Sequence, residues 1–263
     1  MTLPKTITIS LDISNINSII MIHTRSKRST AFNFQDTVTT LKDIYTSDLF
    51  RVHTAPLVRR SMFWNNLVKV QKLGTDDNPI VCPGNRDTVA AYLQYICHGT
   101  IPSMRDDNDD DENAMEGANE EEEIPTGIIK DEQEWEDLCE LHIFASKVED
   151  EDAMDAVVDT MLAKYAESGD NGSLPTEDAI KTVYADTKAG SPLRRMLVDI
   201  YVWEGAAPED ADVALNEFLL DLTKGTMKRK KEAGGCCIPA RVKRCDYHVH
   251  GAKGQCGEVI AVD

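Results

Sequence analysis

The stretch LFRVHTAPLVRRSMFWNNL, residues 49–67, sets His53 between an alternating run and the start of a helical pattern. A histidine there can ligate a metal, shuttle a proton, or pack at a strand-to-helix corner. Ligation needs further acids, histidines or cysteines at ligand spacing, and none accompanies it. Phe50 and Val52 alternate with Arg51 and His53 as on a strand with one covered face. His53 therefore reads as a corner residue whose ring packs while its nitrogens bond backbone groups. Ser61, His98 and the many carboxylates supply the residue types of a nucleophilic triad, but their spacing supports none. The sequence also has no Gly-rich phosphate loop, nucleophile elbow or His-Glu-x-x-His.

A second cluster lies in CCIPARVKRCDYHVHGAKGQC, residues 236–256. Cys245-x-x-His248 resembles half of a zinc site, and Cys237 and Cys256 have the chemistry to complete it. The spacings match no zinc finger, and chelation does not account for both Cys236 and Cys237. The expectation is a chain with no catalytic, cofactor-binding or metal residues, and no enzymatic activity. A zinc-dependent module built on this tail is the alternative.

The elements that would position these residues follow from periodicity. DTVTTLKDIYTSDLFRVH reads as two short strands around a polar turn at Thr46, Ser47 and Asp48. A helix should follow through Pro56, with Leu57, Ser61 and Trp64 on one face. NPIVCPG is a third short strand. Asp87 and Thr88 open a helix with Val89, Tyr92, Leu93 and Ile96 inward, ended by Gly99. Trp135, Leu138, His142, Ala145 and Val148 form one helical stripe; Met154, Val157, Val158, Met161, Leu162 and Tyr165 form the next. Thr176 with Glu177 and Asp178, and Ser191 with Pro192, are helix-start signals. A last helix is expected from Glu209 to about Thr223. A few strands followed by helices define an α+β fold.

Composition narrows the function classes. The net charge is −18, and residues 106–123 hold eleven of the acids and no base. Such a run repels itself and cannot bury apolar surface, so residues 104–131 are expected to be a disordered insertion. It serves either as a solubilising loop or as an acidic docking site for a basic partner. The charge disfavours nucleic-acid binding by the folded body. No stretch approaches the roughly 18 apolar residues of a membrane span, and no secretory signal is evident. Seven unevenly spaced cysteines do not form a disulfide framework, which points to a reducing, intracellular compartment. KRKK at 228–231 and RVKR at 241–244 read either as a two-part nuclear import signal or as a basic helix end. Nucleus and cytoplasm both stay open.

FRVHTAPL, SMFW, YLQYICHG, IFASKVED and AIKTVYADTKAGSPLRRMLVDIYVW occur in that order between residues 50 and 203. Together they resemble the BTB/POZ domain in its fungal form. Two departures stand out: Thr54 follows His53 where a lysine is usual, and Cys97-His98 precede Gly99 where Tyr-Thr is usual. The resemblance implies a small sheet packed by helices over residues 36–166, interrupted by the 104–131 insertion. A helical extension would follow at 174–225, then a flexible basic Cys/His tail at 226–263. Residues 1–35 carry no clear assignment. The resemblance further implies a non-enzymatic adaptor or scaffold that binds other proteins and can self-associate. The alternative is a nuclear regulator whose acidic segment contacts basic chromatin proteins. Some cullin-binding members carry a hydrophobic-x-Glu stretch, and its lack between Leu67 and Pro79 weighs against a cullin-type ubiquitin ligase as partner. The aromatics of SMFW diverge around a short helix, so at least one of Met62, Phe63 and Trp64 should reach the surface.

Overall fold

The computed structural model describes residues 37–70, 73–103, 126–167, 173–208, 213–232 and 244–249. All belong to one compact unit, Asp36–Asp263. Residues 1–35 and the acidic run lie outside the described residues. The architecture is α+β: a three-stranded sheet and a set of helices.

Strands β1 (Val38–Asp43) and β2 (Leu49–His53) form an antiparallel hairpin with Leu41 opposite Phe50 and Thr39 opposite Val52. Strand β3 (Ile80–Cys82) adds parallel to the other side of β1, with Leu41 beside Ile80. The sheet order is β2-β1-β3. Its alternation sends Leu41, Val52, Ile80 and Cys82 into the core and leaves Val38, Leu49 and Val81 half-exposed on the other face. The loop before β3 turns at Gly74, whose φ of +91° favours glycine. A Cβ there would also stand 2.6 Å from the Thr39 side chain.

The helix expected through Pro56 is two helices. α1 (Thr54–Arg60) and α2 (Met62–Asn65) part at Ser61, which is extended and caps α2 by accepting from the Trp64 amide at 3.3 Å. Serine competes for its own backbone in this way, and the break turns Trp64 inward. A π-type turn, Asn66–Val70, follows. α3 (Arg86–His98) starts on an Asn85 cap and stops at Gly99 in the left-handed region.

α4 (Thr126–Lys147) and α5 (Glu151–Glu167) form an antiparallel-type pair around a sharp turn, and α4 also packs on α3 and on α6 (Glu177–Asp186). Helix begins at Thr126, so the last residues of the expected 104–131 insertion are helical. α7 (Pro192–Glu204) starts on Ser191 with Pro192 in its first turn, as the sequence indicates. The final helix differs from expectation. A 3₁₀ turn at Val213–Leu215 leads into α8 (Asn216–Glu232), which runs past Thr223. Gly225, an apparent breaker, sits where a Cβ would meet Val198 and Val202 at 3.2 and 3.1 Å. The glycine lets α8 close on α7, and that packing outweighs its propensity cost of about 1 kcal/mol.

Two boundaries shift in consequence. The expected 174–225 extension shares one continuous core with the sheet and α3–α5, running from Leu41 to Tyr247. The expected flexible tail at 226–263 includes the end of α8 and a docked piece, residues 244–249, with Tyr247 and His248 buried.

All five positions of the first stripe, Trp135, Leu138, His142, Ala145 and Val148, are buried. His142 is 1% exposed and neither ring nitrogen has a hydrogen-bond partner among the described residues. Burial pushes its pKa down to about 4. The folded chain thus prefers neutral imidazole, whereas the unfolded chain takes up a proton below its ordinary value near 6.5. Stability should fall as pH drops from about 6.5 to about 4, by roughly 3 kcal/mol from this residue alone. Urea unfolding of the wild type and His142→Leu across that range checks it: the difference between the two should grow as pH falls and level off near pH 4.

Candidate interaction groove

Three separate pieces of chain converge beside the α1–α2 break. Trp64 is fully buried, and its indole N–H donates to the Tyr92 hydroxyl at 3.0 Å. Tyr92 in turn donates to Asp150 Oδ2 at 2.9 Å, and Asp150 Oδ1 accepts from the Ala153 amide at 3.0 Å, capping the start of α5. Burial and the Asp150 carboxylate raise the Tyr92 pKa, so the phenol stays a donor. A second link runs parallel to the first. Arg60 lies 4.7 Å over the Tyr95 ring, donates to its hydroxyl at 3.3 Å and reaches Asp152 at 3.7 Å; Tyr95 donates to the Asp152 carbonyl at 3.0 Å.

Above this network opens a groove of about 790 Å³ between α1–α2 and the α4–α5 turn. Arg59, Arg60 and Met62 line one wall; Glu149, Glu151 and Asp152 line the other. Met62 is 63% exposed, Phe63 is half-buried against Trp64, and Trp64 faces the core. The residue that reaches the surface is therefore a methionine rather than an aromatic ring. An exposed, conformationally adaptable thioether between basic and acidic walls suits a peptide or helix that offers apolar and charged groups together.

The sequence-predicted residues are placed as follows. His53 ends β2 as the N-cap of α1, half-buried, without a side-chain cap bond. Thr54 beside it holds the corner: its amide and hydroxyl both donate to the Thr37 carbonyl, at 2.8 and 2.7 Å, and its hydroxyl bonds Thr39 at 2.8 Å. The threonine that departs from the BTB/POZ pattern has a structural task here. Ser61 is committed to capping α2, and His98 ends α3 exposed. Cys82 is pushed up to about 12 by burial and Cys139 is raised further, so neither supplies a thiolate at neutral pH. Cys245 is half-buried, while His248 lies against Asp155 and Asp159. Cys236, Cys237 and Cys256 lie outside the described residues. Among the described residues, no group of three or more histidines, cysteines and acids is disposed to hold a metal, and no helix is long and apolar enough to cross a membrane.

Sequence reasoning missed Tyr92, Asp150 and Arg60 as a unit. Tyr92 appeared only as a stripe residue and the start of YLQYICHG, and Asp150 only as the end of IFASKVED. Compared with family models, curated proteins and solved structures, the chain matches none.

Tyr92→Phe strands a buried indole N–H and a buried carboxylate oxygen at once. The expected loss is roughly 2–4 kcal/mol, above the cost of an ordinary hydrogen bond. Chemical denaturation should show it, with Trp64→Phe in the Tyr92→Phe background costing less than in the wild type.

Proposed function

We propose that the chain is a non-enzymatic protein-interaction module of the BTB/POZ type, working as an adaptor or scaffold. The single observation that carries this reading is the Met62 groove, an exposed apolar side chain flanked by opposed charges and backed by a rigid buried network. The BTB/POZ assignment draws support from where its five sequence pieces fall. FRVHTAPL makes the β2–α1 corner, SMFW makes α2 with its cap, and YLQYICHG is the second half of α3 with its Gly99 stop. IFASKVED makes the α4–α5 turn, and the long last piece spans α6 and α7. The resemblance therefore tracks consecutive structural units rather than scattered matches. Cys82, Cys97 and Cys139 are free thiols, which supports an intracellular setting.

Met62→Glu in the full chain tests the reading. Because Met62 is exposed, the melting temperature should change little. Affinity capture from cells and light scattering, wild type beside variant, give the readout. Loss of captured partners or of self-association, by tenfold or more, is the expected result. An unchanged set of partners and an unchanged mass would move the binding surface elsewhere.

A further inference from the structure

Residues Arg244–Val249 dock on α5 and α7 through a series of side-chain contacts. Tyr247 donates to Asp199 at 2.6 Å, and its ring stands edge-on to Trp203 with centroids 6.5 Å apart. His248 Nε2 is 3.0 Å from Asp159, and the Val249 amide donates to Asp155 at 2.6 Å. Arg195 donates to the Asp246 carbonyl at 3.0 Å. Three successive residues thus present a phenol, an imidazole and a backbone N–H to three carboxylates.

Those carboxylates are unusual on their own. Asp155 and Asp159 lie one turn apart on α5, a spacing at which like charges repel. Asp199 is desolvated enough that its pKa is raised. The docked segment delivers a donor to each of the three from one short peptide. The sequence just before Cys245, RVKR, is basic.

We propose that Asp155, Asp159 and Asp199 form a peptide-recognition site for segments presenting an aromatic hydroxyl, a histidine and an aliphatic residue in succession behind a basic flank, and that Arg244–Val249 occupies it in cis as a displaceable strap. Each contact named above involves a side chain of the body. A short strap of this kind competes with an external peptide mainly through its high effective concentration. Val249 also lines the Met62 groove, so a vacated strap alters that groove's wall. The site stands without the BTB/POZ reading.

The test uses a fluorescent synthetic peptide of residues 241–251, under reducing conditions, titrated into the full chain. The wild type should bind it at least tenfold more weakly than Tyr247→Ala/His248→Ala, in which the strap can no longer compete. Adding Asp159→Asn and Asp199→Asn to the vacated chain should lower affinity at least tenfold. Equal affinity for both chains, or no binding to a vacated chain that keeps its melting temperature, overturns the proposal. If the vacated chain does not fold, hydrogen exchange in the wild type decides. Excess unlabelled peptide should speed exchange of the chain's own Val249 amide at least tenfold, and an unchanged rate overturns the proposal.

Discussion

The Tyr92 hydroxyl is the joint on which the described structure turns. It accepts from Trp64 on the sheet side and donates to Asp150 on the side of the long helices, and all three residues are buried. A buried carboxylate is costly unless hydrogen-bonded. Asp150 meets that demand by taking Tyr92 and the Ala153 amide together, which fixes both the α4–α5 turn and the position of α3. The turn itself needs such support, because Glu149 sits at φ 56°, a left-handed conformation that suits glycine better. The groove inherits its shape from this joint, since Arg60, Met62 and Asp152 are placed by the elements it ties.

The other half of the core has its own tie. Arg194 is buried in the first turn of α7 and donates to the Tyr184 and Thr187 carbonyls that end α6. It also bonds Glu217 on α8 at 2.9 Å and lies 4.2 Å over the Tyr184 ring. One planar guanidinium thereby satisfies the open end of one helix and fixes two others, a geometry lysine does not reproduce. With Gly225 bringing α8 against α7, the region expected to be an appendage is part of the same core.

Much of this was legible in the sequence, and for identifiable reasons. Caps such as Thr176 and Ser191, and the Gly99 stop, are local chemistry that short windows carry. The stripe from Trp135 to Val148 is periodic, and all of it is buried. What escaped depends on partners distant in the chain. Ser61 looks like a helix residue until Trp64 must turn inward. Gly225 looks like an end until Val198 and Val202 are seen against it. Asp155 and Asp159 look like a solvated face until residues 247–249 arrive. The His53 corner was foreseen as a corner, and the part of Thr54 beside it, which bonds Thr37 and Thr39, was not.

The sheet order places β1 in the middle, so among the described residues β2 and β3 each keep one edge outside the ladder. For a chain emerging from the ribosome this sets a sequence of events. The hairpin closes locally, but β3 must travel back to pair in parallel with β1, and non-local pairing is slow. Tyr92 then waits for Asp150, which is synthesised well after the sheet. During that interval the nascent sheet carries two short edges and an incomplete core, the state in which strands mispair with neighbours. The brevity of β3 and the charge of Arg51 in β2 make those edges poor templates for a second chain. The same features that keep the sheet small therefore guard it while the helices that complete it are still being made.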